Sequence, residues 1–368
     1  MRIQILSFGL VLTAAVSALA QPVISPEVQS DGRVTFRLKA PNASEVLVRC
    51  EGVKETKMQK DDQGVWSLTT EPLEPDIYTY SFNVDGVRTL DLANPLMKYN
   101  LLNSDSEVHV PGTATLPWEV NDVPHGKLHR HFYKSEAAGD RRDYMVYTPP
   151  GYDPTSHKRY PVLYLLHGFS DDITAWSTAG CANTILDNLI ARGEVKPMIV
   201  VMPLGYGTME ILHARPRTPG LSERSFENFR KALLDEVMPQ AEKEYRIQPE
   251  RKSRAIAGLS MGGSESLRVG LNTLDRFAWI GAFSSGGGGT NFSSTFPALD
   301  EKANTQIRLL WIACGEQDGL LAPNQRFCDW LDSKGVKHEW VKIPGQHSFR
   351  VWRRNLAQFT PLLFQEKK

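Results

Sequence analysis

The sequence is short of cysteine, with four in 368 residues: Cys50, Cys181, Cys314 and Cys328. None of them has zinc-site spacing, and four allow three pairings among which sequence cannot choose. Buried free thiols are the expectation. An excess of charge is also missing, with 42 Lys plus Arg against 42 Asp plus Glu. Such a balance argues against nucleic acid or an anionic membrane surface as a partner. Long hydrophobic runs are absent after the N-terminus. The run over residues 5–16 is too short for a bilayer. It follows Arg2 and precedes Ala18-Leu19-Ala20, the pattern of a cleavable signal peptide over residues 1–20. No cysteine stands at the cleavage point, so a lipid anchor is not expected. A secreted or periplasmic location without a membrane anchor follows. Oligomeric state is left open.

What is present reads as two units. Over residues 22–110 short alternating strands follow one another, such as 34–38, 45–49, 65–68 and 77–84, the last closed by Asp85-Gly86 as a tight hairpin turn. Strands at this spacing predict a small all-β sandwich of immunoglobulin type. Trp66, Tyr78 and Tyr80 have two readings there. They stack on sugar rings, or Trp66 is core and the tyrosines face outward as strand surface. Residues 111–126 carry Pro111, Pro117 and Pro124 and read as a linker. From 127 to 368 apolar strands alternate with helical patterns, such as 184–192 and 227–245. This predicts an α/β unit with a doubly wound, mainly parallel sheet, opened by an antiparallel pair at 128–133 and 142–147.

The stretch RAIAGLSMGG at 254–263 is a buried-strand pattern running into Gly-x-Ser-x-Gly and then a helix pattern. That is the context of a nucleophile elbow, in which Ser260 is held on a strained turn at the top of a sheet. The remaining members of a triad should follow in the order acid, then His, each just past a strand. Asp318 lies in Gly-Glu-Gln-Asp-Gly after the strand ending at Cys314, with Glu316 as the alternative acid. His347 lies in the loop after the strand 338–343. Ser260, Asp318 and His347 are therefore the candidate catalytic residues. Oxyanion donors are expected from the Met261 N–H at the helix start and the Phe169 N–H after His167-Gly168. His167 itself is expected to be structural. Trp176 and Trp352 are candidate walls for a phenolic acyl group, with ordinary packing as the alternative. No metal or organic cofactor is implied, because the nucleophile is a side chain and the base is His.

The phrases YPVLYLLHGFSDDITAW, ILDNLIARGEVKPMIVVMP, RAIAGLSMGGSESL, LLWIACGEQDGLL and GQHSFRVWRRNLAQFTPLLF together resemble carbohydrate esterase family 1, the esterase D-like feruloyl and acetyl xylan esterases. Upstream, VTFRLKAPNASEVLV, GVWSL, DIYTYSFNVDG and DLANP resemble the early-set modules of carbohydrate-binding family 48 type. The resemblance implies an α/β-hydrolase that cleaves feruloyl or acetyl esters on feruloylated or acetylated xylan through Ser260, Asp318 and His347. The sequence departs from the family pattern at Phe169-Ser170, where a Gly-rich run is usual, and in the His loop at Gln346 and Phe349. Two other functions are weighed against this one. One is a siderophore trilactone esterase of enterobactin type, for which Arg215 and Arg217 are the basic candidates. The other is a non-catalytic carbohydrate-binding protein.

Overall fold

The computed structural model describes residues 23–365 apart from 114 and 217, so the expected signal peptide, Arg217 and the last three residues lie outside it. The N-terminal part forms two antiparallel sheets. One has the order β1 (Glu27–Val28), β2 (Val34–Lys39), β6 (Val65–Thr69), β5 (Gln59–Lys60). The other has the order β4 (Thr56–Lys57), β3 (Val46–Cys50), β7 (Asp76–Val84), β10 (Asp105–Val110), β9 (Met97–Lys98), with β8 (Val87–Thr89) also on β7. The hairpin at Asp85-Gly86 forms as expected, with φ of 48° and 87° and Val84 paired to Val87. The two sheets close on one core that includes Phe36, Val48, Trp66, Tyr78, Tyr80 and Phe82.

The tyrosines correct the expectation that they face outward. Tyr78 and Tyr80 are 2 % and 1 % exposed, and Trp66 is 4 % exposed. Alternation alone gives the period but not which phase faces the core. Each polar tip is satisfied inside: Tyr78 Oη donates to the Glu74 carbonyl, Tyr80 Oη to Asp91, and Trp66 Nε1 to the Ala40 carbonyl. Rings packed this way are not free to stack on a sugar.

The C-terminal part is one eight-stranded sheet in the order β11 (Lys127–Ser135), β12 (Asp140–Thr148), β14 (Ile199–Pro203), β13 (Val162–Leu166), β15 (Arg254–Leu259), β16 (Trp279–Phe283), β17 (Leu309–Gly315), β18 (Glu339–Ile343). The first two pairings are antiparallel and the rest are parallel. Every residue of β13, β14, β15, β16 and β17 is buried, which is why these strands read as unbroken apolar runs rather than alternating ones.

Helices cover both faces. α1 (Ala182–Ala191) and α8 (Phe349–Phe359) pack on the face that carries Leu163 and Leu165. α3 (Leu221–Lys231), α4 (Met238–Glu244), α5 (Met261–Asn272) and α7 (Leu321–Ser333) pack on the face that carries Tyr164 and Leu166. The short α2 (Glu210–His213) and α6 (Phe292–Thr295) lie in the connections. The helix expected over 227–245 starts earlier, at Leu221, and contains a π-helical turn at Ala232–Val237 just before Pro239. Proline lacks the N–H that the regular ladder needs, so the helix widens by one residue there. Among the described residues no helix is long and apolar enough to cross a membrane.

The two parts meet at α8. Asp76, at the start of β7, accepts from Arg350, Arg353 and Arg354 at 3.2, 3.0 and 2.6 Å. The spacing i, i+3, i+4 puts the three guanidinium groups on one face of the helix. The Asp76 side chain is fully buried and that of Arg353 is 1 % exposed.

Candidate active site

In a doubly wound sheet the parallel strands deliver their following loops to one edge, and four such loops converge here. β15 ends at Ser260, whose backbone sits at φ 51°, ψ −114°. A non-glycine residue at positive φ is strained and persists only when its surroundings force it. Two glycines provide the forcing. A Cβ on Gly258 would lie 2.5 Å from the Gly262 carbonyl, and one on Gly262 would lie 2.4 Å from the His167 carbonyl oxygen. Strand, turn and helix therefore pass in backbone contact. The Ser260 N–H is fixed to the Phe283 carbonyl at 2.8 Å, and its carbonyl accepts from the Ser264 N–H at 3.0 Å.

β18 delivers His347 and β17 delivers Asp318. The imidazole Nε2 lies 2.9 Å from Ser260 Oγ, and Nδ1 lies 2.8 Å from Asp318 Oδ2. The Asp318 side chain is wholly buried, whereas that of His347 is 38 % exposed. Burial alone would push the Asp318 carboxyl up. Hydrogen bonds from His347, the Leu320 N–H and Ser284 outweigh it and hold the carboxyl below its ordinary range. A carboxylate kept ionised in this way fixes the tautomer with the proton on Nδ1 and leaves Nε2 to accept from the serine. Glu316, the alternative acid, is exposed, and it is Asp318 that meets His347 Nδ1.

The fourth loop follows β13. A Cβ on Gly168 would sit 2.6 Å from the Leu259 side chain and 3.5 Å from that of Ser260, so the loop backbone lies directly over Ser260. Phe169 and Met261 both line the cavity at Ser260. Met261 opens α5, where N–H groups have no intrahelical acceptor and carry the positive end of the helix dipole. His167 is structural, as expected. Its Nδ1 meets the Gly168 carbonyl at 2.8 Å and its Nε2 accepts from the Gly205 N–H at 2.9 Å. Its full burial lowers its pKa and keeps it neutral.

The tryptophans divide. Trp176 is not a wall of the site: it is 1 % exposed, donates Nε1 to the Leu166 carbonyl and packs edge-on against Phe283 and Phe349 in the core. Ordinary packing, the alternative reading of this tryptophan, is what the turn after β13 produces. Trp352 does line the cavity beside Ser260 and His347. It meets the imidazole edge-on at 4.9 Å, and its Nε1 donates to Ser284 Oγ at 3.1 Å.

Sequence reasoning missed Ser284, which joins Trp352 to Asp318. It also missed the N-terminal supports of the site. Asp171 accepts from Lys98 Nζ at 3.2 Å and Asn100 Nδ2 at 2.9 Å, and the Leu101 N–H donates to the Ser170 carbonyl at 2.8 Å. Ser348, next to His347, donates its hydroxyl to Glu51. No motif marks these residues, since each acts through a contact far away in sequence.

Two cavities open beside Ser260. One, of about 360 Å³, has apolar walls in Phe169, Ile211, Phe226 and Leu320 and runs along α5. The other, of about 210 Å³, is polar and lies between Ser260, His347 and the N-terminal residues Glu51, Lys98 and Asn100. Among the described residues no group of three His, Cys, Asp or Glu is arranged to hold a metal ion. The four cysteines are free thiols, three of them buried and Cys181 half-buried.

The Esterase family model matches residues 135–363. An endo-1,4-beta-xylanase/feruloyl esterase of Xylanibacter ruminicola is 32 % identical over 351 residues, which is 92 % of this chain and 46 % of that protein. The chain spans about half the length of the curated relatives it matches. Among solved structures, the ferulic acid esterase of Anaeromyces mucronatus superposes with a TM-score of 0.57 at 25 % identity, covering 67 % of this chain and 93 % of that one. The enterobactin esterase of Shigella flexneri covers 89 % of this chain and 92 % of its own, with a TM-score of 0.68 at 21 % identity, a likeness of fold alone.

Proposed function

The chain belongs to the Esterase family, and from that premise we propose that it is a secreted serine carboxylesterase that removes feruloyl or acetyl groups from xylan. The observation that carries this reading is the unbroken line of two hydrogen bonds, 2.8 and 2.9 Å long, from Asp318 through His347 to Ser260. Its likeness to the xylanase/feruloyl esterase and to the ferulic acid esterase supports the substrate class. In the same reading residues 1–20 are the export signal, 22–110 an early-set sandwich of immunoglobulin type, 111–126 the linker and 127–368 the α/β-hydrolase unit.

The chemistry runs as follows. Ser260 Oγ attacks the ester carbonyl carbon while His347 Nε2 takes the hydroxyl proton. The Met261 and Phe169 N–H groups stabilise the charge that develops on the carbonyl oxygen, and a donor of this kind is worth about 3–4 kcal/mol of barrier. The C–O bond to the sugar breaks, and the imidazolium returns the proton to the leaving alkoxide. Water then attacks the acyl-serine by the same route, which releases the acid and restores Ser260. Asp318 stabilises the imidazolium throughout.

Assay of p-nitrophenyl acetate and methyl ferulate tests the reading. The protein is expected to turn over both esters and Ser260→Ala neither. Full activity of the alanine variant would overturn it.

The second reading, a siderophore trilactone esterase, draws on the likeness of the whole two-part layout to the Shigella flexneri enzyme. A highly anionic iron complex needs cations to spare. Among the described residues of the two cavities, Lys98 is paired with Asp171, and Arg268 with Glu223. This favours the uncharged sugar ester, and competition between a catecholate trilactone and a feruloylated arabinose decides between them.

A further inference from the structure

The larger cavity beside Ser260 holds a buried acid that the triad does not use. α5 leaves the nucleophile and lays Met261, Ser264, Glu265 and Arg268 along the cavity. These positions follow the i, i+3, i+4, i+7 pattern of one helical face. With about 1.5 Å of rise per residue, Glu265 stands roughly 7.5 Å further along the axis than Ser260.

Glu265 is 6 % exposed, and its Oε2 has no hydrogen-bond partner among the described residues. The cation that acts on it, Arg268, is committed elsewhere: it donates to both oxygens of Glu223 at 2.7 and 2.9 Å and lies 3.4 Å over the Phe226 ring. Burial drives the Glu265 carboxyl well above its ordinary range, which favours the neutral acid. In that form it offers an O–H donor and a carbonyl acceptor at the same point. A buried polar group without a partner is costly to keep. Gly205 leaves space beside it, since a Cβ there would come 3.2 Å from Oε2.

We infer that Glu265 is a specificity-determining residue that hydrogen-bonds the phenolic hydroxyl of a hydroxycinnamoyl group held in this cavity, an inference that rests on the esterase reading above. Size and chemistry agree. Counting covalent bonds of about 1.5 Å or less, the phenolic oxygen of such a group lies roughly 8 Å from its carbonyl carbon, close to the helical distance from Ser260 to Glu265. The aromatic ring would lie between Phe169, Ile211, Phe226 and Leu320, and an acetyl group would leave most of the roughly 360 Å³ empty.

The test compares methyl ferulate with methyl cinnamate, which lacks the ring substituents, on the full-length protein, Glu265→Leu and Glu265→Gln. Wild type is expected to favour ferulate in kcat/KM. Glu265→Leu should reduce that preference roughly tenfold through KM, the size of one hydrogen bond. Glu265→Gln, which keeps a donor and an acceptor, should retain most of it. Binding of the two esters to Ser260→Ala reads the same preference without turnover. Equal handling of the two esters by wild type, or an undiminished preference in Glu265→Leu, overturns the assignment while p-nitrophenyl acetate turnover still upholds the esterase reading. Loss of all ester turnover with the ferulate preference intact in binding would sink the esterase reading and leave the Glu265 site standing.

Discussion

At the scale of single residues, the Asp318 carboxyl is held below its ordinary range in a place where burial opposes charge. Hydrogen bonds from His347, the Leu320 N–H and Ser284 decide that contest. Asp318→Asn should therefore preserve the fold yet favour the wrong imidazole tautomer, lowering kcat for p-nitrophenyl acetate by roughly 10⁴. A loss below about tenfold would remove Asp318 from its assigned role. Glu265 has the opposite balance, and its folded pKa is raised. A raised carboxyl contributes stability that is fully present below its unfolded pKa, near 4.5, and is lost as pH rises through the folded value. As pH rises above about 5 the melting temperature of Glu265→Gln should therefore gain on that of wild type. A constant gap would mean that Glu265 does not titrate as a buried acid. That Ser260, Asp318 and His347 come together was legible in the sequence because each lies in the loop that follows a strand of the sheet. Glu265 was not legible, since a glutamate in a helix is ordinarily a solvated residue and only packing reveals that this one is enclosed.

At the scale of elements, β15, Ser260 and α5 form a hinge-free joint whose geometry comes from Gly258 and Gly262. Alanine at Gly262 would place a Cβ 2.4 Å from the His167 carbonyl. Gly262→Ala should thus push the β13 loop away from the nucleophile and lower kcat by about 100-fold or more, since displacement of about 1 Å has that effect. A variant with wild-type kcat would show that the loop does not need this contact. The loop and helix starts around Ser260 were readable from strand–glycine patterns, but side-chain facing was not. Tyr78 and Tyr80 turn inward because β7 is covered by the facing sheet, and Trp176 turns inward because its loop folds beneath β13. Alternation and loop position are silent on which side will be covered. The π-helical turn at Ala232–Val237 likewise hid in a pattern that reads as one regular helix.

At the scale of the whole molecule, the N-terminal sheets brace the loops that carry Ser260's neighbours and His347. Asp76 holds three arginines of α8, and Glu51 holds Ser348 beside His347. Lys98 and Asn100 hold Asp171 in the loop over Ser260. Asp76→Ala would leave the buried Arg353 guanidinium without its counter-charge, at a cost of about 3–5 kcal/mol in urea unfolding. A change below about 1 kcal/mol would mean that the clamp is ornamental. The partners lie 274 to 278 residues apart in sequence, which is why no pass along the chain could have paired them. All these parts serve one claim, that Ser260 carries the acyl group between attack and release. Acid quenching during turnover of methyl ferulate, followed by peptide mapping by mass, tests it most directly. The account predicts a feruloyl adduct on the peptide that contains Ser260, absent from Ser260→Ala. Turnover with an adduct on another residue, or with an equal adduct in the alanine variant, would contradict it.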